Sequence, residues 1–357
     1  MPRSGPPICR TTTCASMPST APNRPVHVAV GLLFDRHQVF VTRRATDTHQ
    51  GGKWEFPGGK CNPDEPVLAA LERELHEELG IEVESAAPWM QVRHAYLDRE
   101  VFLDVWQITA WRGDPHGREG QEARWCDIRN LPALDFPEAD LPILRRLWLP
   151  PLYLISDATR FGKEEFLALL ERALKAGARL IQLREPSMPQ PEFRAYAKVV
   201  ASLCQRYGAR LLLNVDAKLA EEYGADGVHL NSRQLMALDR RPLGNALFVA
   251  ASCHDREELR QAVRLGVDFA VLSPVAATAS HPGVVPLGWD KFRALCGSVP
   301  LPVYALGGMR PGDLGLAHEA GARGIATVSG IWNAADIEGE VTACADQIFP
   351  ATDARAR

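Results

Sequence analysis

The chain has 357 residues, 46% of them hydrophobic and 24% charged, and a formal net charge of −4. At about 150 residues per domain, this length predicts two domains with ordinary globular cores. The charge balance argues against a uniformly basic surface for nucleic acid or anionic membranes. No apolar run reaches the about 18 residues that a membrane span requires.

The termini and the cysteines bear on the compartment. Residues 1–24 are rich in Pro, Ser and Thr and contain no apolar stretch of a secretory signal, so we expect a disordered leader. Met17 is an alternative start to Met1. The eight cysteines form neither Cys-x-x-Cys nor a zinc-type cluster, which favours free thiols in a reducing, cytoplasmic setting. Residues 346–357 are interpreted as a tail.

Residues 25–149 read as an α+β domain. A helix is predicted over residues 66–80, with Leu68, Leu71, Leu75 and Leu79 as its apolar stripe and Gly80 at its end. A glycine- and proline-rich loop precedes it. The predicted strands are residues 26–34, 37–44, 101–111 and 123–128, with a turn at Asp35–Arg36 and a closing short helix over residues 139–149.

Residues 150–345 show a different pattern, in which short apolar strands alternate with helices. Strands of this kind are typical of a parallel sheet buried on both faces. Eight of them predict a closed (β/α)8 TIM barrel, with a doubly wound open sheet as the alternative. The predicted strands are residues 152–156, 179–183, 210–214, 227–230, 247–252, 269–273, 302–306 and 324–328.

Three carboxylates share one face of the predicted helix. Glu74, Glu77 and Glu78 are three or four residues apart, on the face that we expect to lie opposite the leucine stripe. Like charges at this spacing repel, and a divalent cation such as Mg²⁺ would relieve the repulsion. The alternative is a solvated acidic face. Arg73 is placed to pair with Glu77 in either case.

A longer pattern surrounds these carboxylates. Gly59, five residues, Glu65, seven residues, and then the run from Arg73 to Ile81 match the Nudix box at every defining position. Residues 26–149 resemble Nudix hydrolases of the MutT type, also through VAVGLLF, FVTRRATDTH, KWEFPGGK, GREGQ and DFPEAD. That type cleaves 8-oxo-dGTP to the monophosphate and pyrophosphate.

The resemblance implies a role for each matching position. Glu74, Glu77 and Glu78 would hold Mg²⁺ (or Mn²⁺), Glu74 would polarise the attacking water, and Arg73 belongs to the same catalytic motif. The Gly58 carbonyl and Glu119 complete the implied metal contacts. The positions implied to surround the nucleotide are Arg44, His49, Glu55, Phe56, Pro57, Gly58 and Asp140.

Asp140 stands where the MutT type has an asparagine that reads the purine. An ionised aspartate only accepts hydrogen bonds, so it would accept from N7–H of 8-oxoguanine but repel O6. A protonated Asp140, its pKa raised by burial, would serve both positions. The alternative is an exposed acid that acts as a helix N-cap.

The second half resembles the thiamine-phosphate synthase and TenI superfamily, through GARLIQLRE, LLLNVD, GADGVHL, YALGGMRP and GARGIATVSGIW. The resemblance implies a phosphate cradle after strands seven and eight and a ligand such as a phosphorylated thiazole or pyrimidine. The residues implied for this site are Gln182, Arg184, Asn214, Asp216, Thr278, Gly307, Gly308, Ser329 and Gly330.

Several of the superfamily's functional positions differ here. Pro186 replaces the lysine after QLRE, Val215 replaces one of the paired aspartates, and Gln234 replaces the metal-binding aspartate after strand four. Pro274 replaces the TenI histidine. We therefore expect a phosphate-binding barrel of altered or lost activity. A bifunctional hydrolase and synthase, or a barrel that senses a thiamine precursor, remain alternatives. The sequence does not indicate an oligomeric state. The Pro150–Pro151 junction predicts a fixed arrangement of the two domains.

Overall fold

The computed structural model describes residues 25–244, 246–278 and 283–345, without the side chains of Arg129 and Pro132. The expected leader, the tail and the alternative start Met17 lie outside the described residues. Within these ranges, no helix is both long and apolar enough to cross a membrane.

The N-terminal unit is built on a seven-stranded mixed sheet. Strand β1 pairs in parallel with β6 and antiparallel with β2 and β4, and helix α1 packs on one face of the sheet. The strands are β1 (Val26–Asp35), β2 (Gln38–Arg43), β3 (Trp54–Glu55), β4 (Gly58–Lys60), β5 (Glu82–Ala95), β6 (Glu100–Arg112) and β7 (Ala123–Asp127). The helices are α1 (Val67–Leu79) and α2 (Leu141–Trp148), with 3-10 turns at Ile128–Ala133 and Glu138–Asp140.

Helix α1 ends as its sequence predicts, because Gly80 adopts the left-handed conformation (φ 71°) and its amide donates to the His76 carbonyl. Its buried stripe differs from the prediction. Leu71, Leu75 and Leu79 are fully buried, but Leu68 is 40% exposed. Val67, four residues before Leu71, packs against the core instead. The stripe therefore continues through Val67, and the assignment of Leu68 was wrong.

Strand β5 and the two short strands β3 and β4 are absent from the sequence prediction. Strand β5 pairs with β6 along its whole length, but the register shifts three times between Val83 and Met90. Each shift interrupts the alternation of buried and exposed residues by which a strand is recognised. Pro88 lies within the same stretch. The loop predicted over residues 51–65 contains β3 and β4.

The C-terminal unit is a closed barrel of eight parallel strands, as predicted. All eight predicted apolar runs form strands because each is buried on both faces. The strands are β8 (Leu152–Ile155), β9 (Leu180–Leu183), β10 (Arg210–Leu213), β11 (Gly227–Leu230), β12 (Phe248–Cys253), β13 (Phe269–Leu272), β14 (Val303–Ala305) and β15 (Gly324–Thr327).

Helices follow most of the barrel strands and cover them. They are α3 (Ala158–Phe161), α4 (Lys163–Lys175), α5 (Gln190–Arg206), α6 (Ala217–Ala220), α7 (Ser232–Met236), α8 (Arg256–Arg264), α9 (Gly288–Cys296), α10 (Leu314–Glu319), α11 (Ser329–Trp332) and α12 (Ile337–Ala345), with a 3-10 turn at Pro311–Asp313. Aromatic side chains fill the barrel interior, where Tyr153, Phe269 and Tyr304 contact one another.

Helix α2 and the following linker lie against the amino-terminal ends of the barrel strands. Arg145 of α2 donates to Asp268, which directly precedes β13, at 2.7 Å. Trp148 packs on Phe248, the first residue of β12, with ring centroids 6.0 Å apart. Leu149 is buried with the barrel interior. The two units are thus in direct contact, and the carboxyl ends of the barrel strands lie at the opposite end of the barrel.

Candidate nucleotide cleft and barrel site

A cleft of about 1050 Å³ crosses the N-terminal unit. Glu74, Glu78 and Glu119 line one part of it, and Asp140, with Phe56, lines another. Helix α1 supplies the first two carboxylates, and the turn before α2 supplies Asp140. Most of the positions predicted to bind metal or nucleotide are thereby brought to one cavity, which is large enough for a nucleotide.

The three carboxylates of α1 are not equivalent. The Glu74 side chain is 17% exposed, and the Gly58 amide donates to Glu78 Oε2 at 3.0 Å. Glu77 is 53% exposed and does not line the cleft. Glu74 and Glu78 flank Leu75 and Leu79 on the helix, so they lie beside the buried stripe. The prediction that they lie opposite the stripe was wrong, because each follows a stripe leucine by three residues, which places it only about 60° around the helix axis.

Burial raises the pKa of Glu78 to about 8. The hydrogen bond from Gly58 opposes this shift, and the charges of Glu55, Glu74 and Glu119 add to it. The carboxylates around Glu78 therefore repel one another in a half-buried part of the cleft. The described residues contain no preassembled group of three metal-binding side chains.

Arg73 lies outside the cleft and organises the carboxylates. Its guanidinium donates two hydrogen bonds to Glu65, both at 3.0 Å, and one to Glu74 at 2.8 Å. The predicted i,i+4 contact with Glu77 is present at 3.4 Å. The bonds from Arg73 lower the pKa of Glu65 to about 2. These contacts make Arg73 a positioning residue and fix which way Glu74 points.

The loop between β3 and β4 depends on two glycines. Gly58 has a φ of 142°, and a Cβ there would lie 2.1 Å from the Ala29 carbonyl oxygen. A Cβ on Gly59 would lie 2.1 Å from the Glu74 carboxyl carbon. Only glycine permits this approach, so the Nudix-box glycine leaves room beside the Glu74 carboxylate.

The part of the cleft that contains Asp140 also contains the half-buried Glu55 and its partner Arg44. Arg44 donates to the Glu55 carboxylate and, at 3.0 Å, to the His49 carbonyl. Burial raises the pKa of Glu55 to about 7, against the opposing effect of Arg44. Pro57 accepts a hydrogen bond from the Gly31 amide through its carbonyl and so ties the loop to β1.

Asp140 is 7% exposed and its side chain does not cap α2. Burial raises its pKa to about 8, the charge of Glu55 adds to this, and Arg44 opposes it. The alternative of an exposed N-cap is therefore wrong: the preceding turn, Glu138–Asp140, carries the side chain into the protein instead.

Tyr96 is a cleft residue that the sequence analysis missed. Its ring packs edge-on against His49, with centroids 4.9 Å apart, and its hydroxyl accepts from the Ala139 amide at 3.3 Å. It thereby joins the His49 loop to the turn that carries Asp140. Tyr96 follows β5, the strand without a clear sequence signal, and no motif marked it.

Several of the predicted barrel residues make hydrogen bonds to other parts of the chain. Gln182 is buried in β9 and Arg184 is exposed after it. Asn214 donates to the His229 carbonyl at 2.8 Å. Asp216 accepts from the Lys218 amide at 3.0 Å and caps α6. The site thus presents fewer uncommitted polar groups than the resemblance implies.

The predicted phosphate cradle contains the two expected turns. Gly307 and Gly308 have φ values of 98° and 73°, and a Cβ on either would lie within 2.8 Å of residues 274–277. The Gly330 amide donates to Thr327 Oγ1 at 3.2 Å, and Ser329 is exposed. The glycines are thus explained by the turn and by the close approach of the β13 loop. Thr278 is half-buried, and residues 279–282 lie outside the described ranges.

Gln234, at the position of the expected metal ligand, has a structural role. It forms a capping box with Asn231 at the start of α7, and its amide nitrogen donates to the Val215 carbonyl at 3.3 Å. An ionised aspartate has no donor for that last bond. The replacement therefore joins the loops after β10 and β11 directly.

Comparison with known proteins agrees with this two-part architecture. The family model described as thiamine monophosphate synthase matches residues 152–331, and the NUDIX domain model matches residues 29–146. The 8-oxo-dGTP diphosphatase of Escherichia coli is 37% identical over 123 residues, which are 34% of this chain and 95% of that protein. The chain belongs to both families.

Two relatives of the barrel are also similar over most of their length. A putative thiamine-phosphate synthase of Geobacter sulfurreducens is 38% identical over 50% of this chain and 85% of its own. The putative thiamine-phosphate synthase 2 of Aquifex aeolicus is 38% identical over 51% of this chain and 97% of its own. The chain is thus a Nudix hydrolase domain followed by a synthase-family barrel, and both predicted resemblances are confirmed.

Proposed function

We propose that the Nudix domain hydrolyses nucleoside triphosphates to the monophosphate and pyrophosphate, with 8-oxo-dGTP as its preferred substrate. The observation that carries this proposal is the single cleft that joins the Glu74, Glu78 and Glu119 carboxylates to the buried Asp140. A triphosphate would extend towards the carboxylates while its base lies beside Asp140. The E. coli relative is named for the same activity.

A divalent metal fits the carboxylate part of the cleft. The donors there are all hard oxygens, which Mg²⁺ prefers, and burial, with the repulsion from neighbouring carboxylates, raises the pKa of Glu78. Glu74, Glu78, Glu119 and the Gly58 carbonyl would hold the ion, and Glu77 would join them by leaving Arg73. Mg²⁺, or Mn²⁺, would supply neutralisation of the phosphate charge.

The chain's own groups would handle the water and its proton. Glu74 Oε would accept the proton of the attacking water as the new phosphorus–oxygen bond forms. The bond between the α- and β-phosphates breaks, so that the nucleoside monophosphate and pyrophosphate leave. Arg73 holds the Glu74 carboxylate at 2.8 Å and fixes its orientation for this transfer.

Asp140 would read the purine in its protonated form. Its O–H would donate to O6, and its carbonyl oxygen would accept from N7–H, which 8-oxoguanine has and guanine lacks. Burial in the turn before α2 favours the neutral acid. Arg44, His49, Glu55, Phe56 and Tyr96 would enclose the base and sugar.

For the barrel we propose phosphate-ligand binding with altered or lost synthase activity. Asp216 is committed to a helix cap, Gln234 to a capping box, and the Gly330 amide to Thr327. A phosphorylated thiazole or pyrimidine remains the proposed ligand. We also propose domain limits of 25–149 and 150–345. Cytoplasmic location remains a prediction.

The direct test is pyrophosphate release with Mg²⁺ from 8-oxo-dGTP and dGTP at limiting substrate. We expect 8-oxo-dGTP to be favoured by about 100-fold, which corresponds to about 2.7 kcal/mol of transition-state discrimination. Glu78→Gln should abolish both reactions. If the two nucleotides are hydrolysed at equal rates and Glu78→Gln abolishes both reactions, the hydrolase proposal stands but the 8-oxo-purine preference is contradicted. Rates unchanged in the variant would contradict the site itself.

A further inference from the structure

A second cavity, of about 610 Å³, lies between the two domains beside α2; we call it the interdomain pocket. Both domains line it. Phe34 of β1 and Leu147 of α2 come from the N-terminal domain, and Leu301, just before β14, comes from the barrel. None of its lining residues lines the catalytic cleft. The pocket is also at the opposite end of the barrel strands from the predicted phosphate cradle.

The interdomain pocket is positively charged although the chain as a whole is negative. Four arginines line it, Arg36, Arg146, Arg293 and Arg323, and Glu319 is the carboxylate among its lining residues. Arg293 lies 3.5 Å from Asp290, an exposed carboxylate. Helices α9 and α10 end at the pocket and add partial negative charge, which offsets only part of the excess.

Arg146 is held at the pocket by groups that do not neutralise its charge. Its guanidinium donates to the Trp89 carbonyl at 2.5 Å and the Pro300 carbonyl at 3.2 Å. It also lies over the Trp89 ring, 4.3 Å from the centroid. Among the described residues, no carboxylate lies within ion-pair distance of it. Burial, and then the Arg323 charge, lower the pKa of Arg146 to about 10.

The adjacent residue shows how the same interface pairs a buried arginine. Arg145 donates to Asp268 at 2.7 Å, and Arg241 donates to the other oxygen of that carboxylate at 2.6 Å. Buried guanidinium groups are normally matched in this way, because desolvation of a lone charge is costly. Arg146 is oriented into a cavity without such a partner, which favours an anionic ligand.

The remaining wall of the interdomain pocket is apolar. The Trp89 ring, Leu147, Leu301 and Pro302 line it. A cation stacked on an indole beside aliphatic surface suits a ligand with a flat ring and one compact anionic group. Guanidinium groups bind phosphate oxygens through paired, charge-assisted hydrogen bonds.

We propose that the interdomain pocket binds an aromatic monophosphate, whose phosphate contacts Arg146 and Arg36 and whose ring packs against the apolar wall of Leu147 and Leu301. Such a site exists only where the two domains meet, since α2, β5 and the segment before β14 each supply part of it. It is a third ligand site, separate from the catalytic cleft and from the barrel's carboxyl-terminal turns.

The test is calorimetric titration of the full chain with phenyl phosphate, in EDTA so that no metal bridges the ligand to the catalytic carboxylates. Arg146→Gln removes the charge and leaves a shorter polar side chain. Arg36→Ala changes an exposed side chain and leaves the interface intact. Arg172→Gln, on the barrel surface and paired with Glu338, is the matched control for loss of one positive charge.

We expect saturable binding that weakens by about tenfold or more in Arg146→Gln and Arg36→Ala, and is unchanged in Arg172→Gln. Phenol and inorganic phosphate should each bind more weakly than phenyl phosphate. Binding should also weaken as salt is raised. Absence of binding, or equal binding by wild type and both pocket variants, would overturn the proposal.

Discussion

The two candidate sites differ in how far the chain itself satisfies their polar groups. In the Nudix cleft, Glu78 is half-buried and Asp140 is buried, both have raised pKa values, and Asp140 makes no helix cap. At the carboxyl end of the barrel, Asp216 and Gln234 are both engaged in helix caps. Buried groups without internal compensation are where chemistry is expected. From this comparison we propose that catalysis occurs in the cleft and that Asp216 and Gln234 have structural roles in the barrel.

The largest expected effect concerns the proposed catalytic carboxylate Glu74 in the cleft. Glu74→Gln removes the proposed proton acceptor and should lower kcat by about 10²- to 10⁴-fold. Glu72→Gln, on the exposed side of the same helix, is the matched control and should retain activity. Steady-state pyrophosphate release measures both. Equal activities of the two variants would remove Glu74 from the mechanism.

The next effect concerns the contact between the two domains. Asp268→Asn leaves Arg145 and Arg241 without their shared carboxylate, so the free energy of unfolding should fall by about 3 kcal/mol. Glu338→Gln breaks the exposed pair with Arg172 and should cost less than about 1 kcal/mol. Urea unfolding compares the two. A shift no larger than that of Glu338→Gln would show that the shared carboxylate does not stabilise the interface.

Asp140 supplies a smaller effect that depends on pH. Asp140→Ala should reduce the preference for 8-oxo-dGTP by about 10- to 100-fold, since it removes both contacts to the purine. In the wild type, the preference should fall as pH rises through about 8, because the ionised acid repels O6. Asp140→Asn should keep the preference at all these pH values. Asp135→Asn, an exposed acid nearby, is the control.

The same ionisation affects stability with a defined sign. The folded-state pKa of Asp140 lies above its ordinary value, so the folded protein holds the proton more tightly than the unfolded chain. This contribution to stability is lost as pH rises from about 4 to about 8. Asp140→Asn should therefore be more stable than the wild type above this range. A wild type that is the more stable of the two at pH 9 would contradict a buried carboxyl.

The smallest expected effect concerns the structural role of Asp216 in the barrel. Asp216→Ala should lower the free energy of unfolding by about 1 kcal/mol, as expected for loss of an N-cap. Asp216→Asn retains an acceptor for the Lys218 amide and should restore most of it. Hydrolysis in the cleft should be unchanged in both. An alanine variant with wild-type stability would mean that Asp216 is free for another role.

The sequence predicted the elements whose pattern depends on local periodicity. The eight barrel strands are buried on both faces, so each appears as an apolar run. Helix α1 was marked by its stripe and by Gly80. Strand β5 was not, because its register shifts disturb the alternation around Pro88. The predicted stripe also included Leu68, which is exposed, in place of the adjacent Val67, which packs against the core.

The Nudix box and the stretches that resemble the MutT type predicted most residues of the cleft, including Glu119 and Asp140. Glu74 and Glu78 lie within one motif, and the cleft brings them to Glu119 and Asp140. The burial of Asp140 depends on the 3-10 turn before α2, which no motif specifies. The interdomain pocket joins Arg146 to Arg323 and Arg36, residues far apart in the chain. Such groupings arise from tertiary packing, and periodicity does not report them.

The most direct test of the comparison measures both activities in one preparation of the full chain. Pyrophosphate release from 8-oxo-dGTP is followed with Mg²⁺, and formation of thiamine phosphate from the pyrimidine pyrophosphate and thiazole phosphate is followed beside it. We predict hydrolysis that Glu74→Gln slows by about 10²- to 10⁴-fold, and thiamine phosphate formation that is absent or far slower. Thiamine phosphate formation that Asp216→Ala abolishes, with no hydrolysis of 8-oxo-dGTP, would contradict the account.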